Sequence, residues 1–430
     1  MHTIKKYPDM QFELPFGKIN LPLIIPGTHQ VDFIIPDEKH TITDADTLIY
    51  KALQNPIAHA PITDIVQPGD TISIIVSDST RTTPTAIMLP PLLELLSSCG
   101  VNNENIRIIF ALGIHRRQSI NEKMSIVGKD IYQHYQCIDH DKDCCCYLGT
   151  TSRGTPVEIF KIVKESDIII CTGSIENHYF AGYTGGYKAV LPGVSSYRSI
   201  IANHSLMINE GTLPGNIECP VRVDLEEAGS ILGVDYILNV VMNSKKQIIG
   251  AVAGHPIHAH RKGAHMVDAM HKQEVEPADI VVVSPGGWPK DIDLFQSHKA
   301  LEHIKSAVKP NGSIILVAQC PEGLGNAVFE QWLDTRPSPE EVINRLKQDF
   351  ILGGHKAALL GKLALEFSLF LVSGLPPEIA QAAFFYPAEN LQEAFDVAAA
   401  KHGPDAAILV VPYGGSTLAI SPKNPLSYRS

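Results

Sequence analysis

No run of about 18 or more apolar residues occurs in this 430-residue chain, and a bilayer-spanning helix needs one. The longest candidate, residues 357–372, is broken by Lys362 and Glu366. Residues 1–14 carry charges and a proline but lack the apolar core of a signal peptide, so a cytoplasmic location is expected. The eight cysteines form no repeating framework, and a chain of this length folds without disulfides. Positive charge is scarce as well. Thirty-five Lys plus Arg against 46 Asp plus Glu leave a net charge of −11, which argues against a general nucleic-acid binder. What stands out is 18 histidines, a residue that titrates near neutrality and ligates metals. A composition 44% hydrophobic and 19% charged is that of an ordinary globular chain.

The length suggests two domains or three. Residues 11–35 read as short strands separated by Pro and Gly. From Thr71 the pattern becomes strand and helix in alternation: apolar runs at 71–76, 106–112 and 167–171, and a helix over 84–98 opening at a proline. Residues 132–153 read as polar and irregular. β-like runs at 236–242 and 247–252 precede a helix over 256–272. A second series follows, with strands at 278–283, 313–317, 368–372 and 406–411 and helices at 299–309, 339–350, 355–365 and 391–402. Such alternation indicates parallel sheets covered by helices on both faces. The expected fold is α/β in two domains, each a mainly parallel sheet flanked by helices, with the active site in the inter-domain cleft. The expected boundaries are 1–274 and 275–413, joined through residues 273–277, with the tail 414–430 returning to the first domain.

In such folds ligands sit beyond the strand C-termini. After the first strand comes Ser77-Asp-Ser-Thr-Arg81-Thr-Thr-Pro84, which reads as a helix cap or, through Arg81, as a carboxylate contact. After the second comes Gly113-Ile-His115, a histidine placed as a general base or simply solvated. After the third comes the densest stretch, Gly173-Ser-Ile-Glu-Asn-His178-Tyr-Phe-Ala-Gly-Tyr-Thr-Gly185-Gly186-Tyr-Lys188-Ala-Val-Leu-Pro-Gly193. Its glycines let backbone N–H groups approach an anion. It is neither a Walker loop, since Tyr187 precedes and Ala189 follows Lys188, nor a Gly-x-Gly-x-x-Gly dinucleotide fingerprint. A helix over 197–208 carries His204. In the second series, Gln296 and Lys299 open a helix, with Gly353-Gly-His355 a further candidate for the same surface. Cys144-Cys-Cys146 matches no structural zinc spacing, and His255, His258, His260 and His265 read as a solvated helix face.

Taken together, Asp78-x-x-Arg81, Gly113-Ile-His115, the block Asn177 to Gly193, Asn203-His204-Ser and Asp293-Leu-Phe295-Gln296-x-x-Lys299-Ala-Leu resemble the nickel-pincer lactate racemase family, in order and spacing, from about residue 10 to the end. The resemblance implies a cofactor, the nickel-pincer nucleotide (nickel pyridinium-3,5-bisthiocarboxylic acid mononucleotide), attached covalently at Lys188, with His204 as the nickel ligand and Gly185, Gly186 and Asp78 around it. It implies His115 and His178 as the two catalytic bases. Arg81, Phe295, Gln296, Lys299 and His355 are then the substrate contacts.

The chemistry suits these residue types. The α-proton of a 2-hydroxy acid is weakly acidic, whereas removing hydride gives a planar 2-keto acid that can be re-reduced on either face. The hydroxyl loses its proton as hydride leaves, so each enantiomer needs its own base. Phe295 replaces the Tyr usual in the family and His355 falls where a Trp aligns, which implies a substrate larger or more polar than lactate. Cofactor-synthesis proteins and a small 2-hydroxy acid are the expected partners, with no nucleic acid and no membrane. The alternatives are an NAD-dependent 2-hydroxy acid dehydrogenase, for which no glycine fingerprint is found, and a non-catalytic two-domain small-molecule-binding protein.

Overall fold

Runs such as Ile72-Ser-Ile-Ile-Val-Ser77 and Tyr236-Ile-Leu-Asn-Val-Val-Met242 have no alternating polar face, and both are buried almost along their whole length. Branched side chains pack well on a pleated surface, and absence of alternation marks strands covered on both sides. The computed structural model describes residues 8–37 and 44–421. Contacts divide them into two units. One comprises the described residues between Glu38 and Met270; the other comprises those up to Asp37 together with those from His271 onward.

The 38–270 unit holds a six-stranded sheet in the order Ile248–Gly254, Tyr236–Met242, Ile168–Ser174, Ile72–Ser77, Ile106–Ala111, Gln136–Asp139. All neighbours are parallel except the first pair. One face packs on the helices Ala45–Gln54 and Thr85–Ser98 through Ile49, Leu53, Met88, Leu92 and Leu96. Three strands adjacent in this sheet, Ile168–Ser174, Ile72–Ser77 and Ile106–Ala111, run parallel. The segments after their C-termini, beginning at Ile175, Asp78 and Leu112, therefore emerge side by side.

The second unit holds a six-stranded, wholly parallel sheet in the order Tyr386–Ala388, Ser368–Val372, Val308–Val317, Ala278–Val283, Ala407–Val411, Gln30–Phe33. Its edge strand corrects the expected domain boundary. Gln30 lies opposite Ala407 and Phe33 opposite Val410, so the N-terminal stretch belongs with the C-terminal half and not to a 1–274 domain. The tail is corrected likewise. Leu418–Ile420 pairs in parallel with Lys272–Glu274 inside the same unit, and residues 422–430 lie outside the described residues. The expected linker at 273–277 thus begins as a strand. The physical reason is shared: pairing between strands far apart in the chain leaves no local mark in the sequence.

Other departures are smaller. Residues 132–153 are not irregular, because they include strands Gln136–Asp139 and Cys145–Thr150, the latter paired with Pro156–Phe160. Pro84 is the cap residue of its helix and not its first turn, and no side chain caps that helix. The helix expected over 299–309 spans Leu294–Ile304, starting where the Asp293 side chain accepts from the Gln296 N–H at 2.7 Å. Helix Pro220–Leu232 went unread. Among the described residues no helix is long and apolar enough to cross a membrane.

Candidate active site

In the 38–270 unit the three emergent segments bring the candidate residues together in pairs. Asp78 is buried and accepts from Thr80 Oγ1 at 2.7 Å, while its other oxygen lies 2.5 Å from His115 Nδ1. Burial pushes the Asp78 carboxyl up, but the His115 and Thr80 hydrogen bonds and the nearby Arg81 charge outweigh it, and the net shift is downward. The carboxylate therefore stays ionised and fixes the imidazole with Nε2 outward, which is how a base is oriented. This makes Asp78 an orienting partner of His115. The turn carrying His115 is anchored by Gly113, whose N–H donates to the Gly193 carbonyl at 2.9 Å and whose φ of 56° favours glycine.

The second pair is Lys188 Nζ and His178 Nε2, 3.1 Å apart. His178 Nδ1 accepts from the Ala181 N–H at 3.2 Å, so the neutral ring carries its proton on Nε2, facing the lysine. Phe180, which sequence reasoning passed over, wedges between the groups. Its ring centroid is 4.4 Å from His178, 4.9 Å from His204 and 5.2 Å from Lys188 Nζ.

His204 sits near the end of helix Tyr197–Ser205 and is buried. Burial first, then the charges of Lys188 and Arg81, lower its pKa to about 3, offset slightly by the Ile200 backbone. Its Nδ1 is buried without a hydrogen-bond partner of normal geometry. A buried imidazole held neutral beside an amine is the donor that a nitrogen-seeking transition metal takes. The residues present fit a tethered metal group on this side. No cluster of three or more His, Cys, Asp or Glu that would hold a metal by themselves occurs among the described residues.

Gly185 and Gly186 turn out to be packing glycines. A Cβ on Gly185 would lie 2.8 Å from Ile175 and 2.9 Å from Asn239 Oδ1, and one on Gly186 would meet His260 at 2.9 Å. The Gly186 N–H donates to Asn239 Oδ1 at 2.8 Å and is not available to an anion. His260 is likewise buried, with Nε2 2.8 Å from the Thr184 carbonyl, and is no part of a solvated face. Cys144, Cys145 and Cys146 lie at and within the Cys145–Thr150 strand; the Cys145 thiol contacts the Asp141 carbonyl at 3.7 Å, and burial raises its pKa to about 12, leaving it a poor thiolate.

The other unit carries the remaining candidates, described by itself. Helix Leu294–Ile304 presents Gln296 and Lys299 one turn apart, with Lys299 Nζ donating to Gln296 Oε1 at 2.6 Å. Phe295 meets His355 edge-on at 6.0 Å, and His355 Nδ1 accepts from the Gly353 N–H at 3.0 Å. The structure thus joins Phe295, Gln296, Lys299 and His355. Unread in the sequence was Lys356, fully buried, 5.1 Å from the Phe295 ring and 3.0 Å from His298 Nδ1. Burial and the Lys299 charge lower its pKa well below the usual ammonium range.

Comparison with known proteins identifies the family. Residues 16–213 match the family model of the lactate racemase N-terminal domain and residues 273–419 that of the lactate racemase C-terminal domain. The chain is 31% identical over 424 residues to a lactate racemase of Thermoanaerobacterium thermosaccharolyticum, covering 94% of this chain and 98% of that one. It is 31% identical over 415 residues to a lactate racemase of Lactiplantibacillus plantarum, with the same coverages. The solved lactate racemase apoprotein from T. thermosaccharolyticum superimposes with a TM-score of 0.87 over 95% of this chain and all of that one. A Thermotoga maritima crystal structure at 16% identity has a TM-score of 0.64 over 89% of this chain and 99% of that one, and shares the fold. Fold and relatives define a racemase, that is, an isomerase. The chain belongs to the lactate racemase family.

The buried histidines make stability depend on pH. In the 38–270 unit burial lowers His204 to about 3 and His140 to about 4. In the unfolded chain both titrate near ~6.5. Because the folded values lie lower, the unfolded state binds more protons between them. Their stabilisation is complete above pH ~6.5 and falls as pH drops towards 4, by about 1.4 kcal/mol per pH unit for each. Denaturant unfolding at pH 7, 5.5 and 4.5 should show this decline, and His140→Gln should flatten it by one histidine. A flat profile would contradict the assignment.

Proposed function

We propose that the protein inverts C2 of a 2-hydroxy acid by reversible hydride removal through a 2-keto acid, and that the substrate is larger or more polar than lactate. The observation that carries this reading is the neutral, buried His204 beside the Lys188–His178 pair, in the same unit as the His115–Asp78 pair. Lys188 and His204 would hold a nickel-pincer nucleotide, the lysine as covalent tether and the imidazole as nickel ligand. When bound, that group supplies a reversible hydride acceptor that stays within the site.

The chain's own residues do the rest. His115, its Nδ1–H held by Asp78, presents an unprotonated Nε2, and His178 presents one in the tautomer that carries its proton on Nδ1, which gives up the Ala181 contact. Each takes the hydroxyl proton of one enantiomer as its C2–H leaves with the electron pair, and returns it in the reverse direction. In the 38–270 unit Arg81 holds the substrate carboxylate while the carbon becomes planar and is re-reduced on the opposite face. The Phe295 ring and His355, with no phenolic hydroxyl between them, admit a bulkier or more polar substituent at C3.

Protein produced together with cofactor-synthesis proteins tests the reading. Intact mass should show an adduct at Lys188, with nickel near one per chain. Across a panel of 2-hydroxy acids, from lactate to dicarboxylic and sugar acids, racemisation should be faster on a member larger than lactate. An unmodified Lys188 with no nickel overturns the cofactor assignment, and a clear preference for lactate overturns the substrate assignment.

A further inference from the structure

Helix Pro220–Leu232 carries an arginine and an aspartate that are both fully buried, two residues apart, and that reach in different directions. Arg222 donates from Nε to the Ala181 carbonyl at 3.2 Å, from Nη1 to the Gly185 carbonyl at 3.4 Å, and from Nη2 to the Tyr183 carbonyl. One guanidinium thus gathers three alternate carbonyls, those of Ala181, Tyr183 and Gly185, in the segment that runs between His178 and Lys188. Its charge faces Glu226 at 3.8 Å, and Arg261 holds that carboxylate with two bonds of 2.6 and 2.7 Å.

Asp224 accepts from Asn203 Nδ2 at 2.8 Å, Thr155 Oγ1 at 2.8 Å and Thr151 Oγ1 at 2.5 Å. Asn203 Nδ2 also donates to the Val221 carbonyl at 3.1 Å. The residue after Asn203 is His204. The same helix therefore grips, with two separate buried charges, the loop ending at Lys188 and the helix carrying His204.

We infer that Arg222 and Asp224 are positioning residues: Arg222 sets the loop that aligns His178 and Lys188, Asp224 sets the helix that aligns His204, and their common helix fixes the spacing between the two. A fork of donors is required for the first task. A lysine has a single nitrogen and cannot span three carbonyls, and an apolar side chain leaves all three in a dry interior. The second task needs an acceptor with at least three free lone-pair directions, which a carboxylate has and an amide lacks. The inference stands on this geometry, and it uses the proposed function only in the last arm of its test.

The test begins with protein free of added cofactor. Acetic anhydride competition reports the reactivity of Lys188 against the other lysines, and diethyl pyrocarbonate reports that of His204. Arg222→Met should raise Lys188 labelling by about five- to tenfold, the effect of opening a local unit, and leave His204 unchanged. Asp224→Asn should do the reverse. Arg222→Lys should behave as Arg222→Met, because charge alone does not restore the three contacts. Leu225→Ala, a core truncation on the same helix, serves as the control for mere destabilisation and should show no such selectivity. Reciprocal selectivity supports the inference. If both charged variants raise both labels alike, as Leu225→Ala does, or change neither, or if Arg222→Lys restores wild-type labelling, the inference is overturned. In the loaded enzyme Arg222→Met should lower the adduct at Lys188 and reduce kcat with KM unchanged, whereas Asp224→Asn should lose nickel while keeping the adduct. A wild-type protein that takes up neither adduct nor nickel would overturn the functional reading and leave the labelling result standing.

Discussion

Replacing either His115 or His178 by alanine should lower racemisation by about a thousandfold, which is about 4 kcal/mol of lost transition-state stabilisation. The two losses should differ in kind. Each imidazole serves one enantiomer, so His115→Ala should retain oxidation of one hand of the substrate to a trappable 2-keto acid, and His178→Ala that of the other. Both should keep the adduct at Lys188, since neither carries the tether. Asp78→Asn leaves the His115 ring in place but replaces an acceptor at 2.5 Å by an amide that can present its NH2 group. It should therefore impair the same half-reaction as His115→Ala, by less. Chiral chromatography of each half-reaction checks all three variants. If one variant loses both half-reactions while the other loses none, the two-base assignment fails.

Lys188→Ala should abolish the adduct altogether, and with it racemisation. Lys188→Arg sharpens the expectation, because it keeps a cation near Phe180 and His178 but offers no nucleophilic amine. If the lysine serves only as a charge, the arginine variant retains activity; if it is the tether, both variants lose the mass. Intact-mass measurement decides between these without reliance on turnover. His178 bears on the same question, for its Nε2 is 3.1 Å from the Lys188 amine. His178→Asn should therefore slow adduct formation without preventing it.

The motif residues were legible because each follows a strand recognisable from its branched apolar run. Asp78, His115 and His178 all stand within a few residues of such ends. Gln296 and Lys299 were legible as a pair one turn apart. The roles of their neighbours were harder to read. Phe180 lies inside the recognised block, and its contacts with His178, His204 and Lys188 arise only when the chain folds back. Arg222 and Asp224 had one local signal, three charged residues at alternate positions in Arg222-Val-Asp224-Leu-Glu226 on a helix whose remaining positions are largely apolar. Charges on a buried helix require partners, and that requirement alone would have singled them out. His260 was misread as solvated because its helix also carries exposed His258 and His265.

By itself the sequence determined most of the buried strands, which chemical groups follow them, and the absence of a Walker or dinucleotide loop at Lys188. These follow from periodicity and covalent order, which are local. Tertiary structure decided the rest. It placed Gln30–Phe33 on the sheet of the C-terminal half and kept Leu418–Ile420 beside Lys272–Glu274. It turned Gly185 and Gly186 into contacts for Asn239 and His260. It made His204 neutral by burying it. Strand pairing over long separations, desolvation and close packing depend on what surrounds a residue in space, and only the folded chain supplies those surroundings.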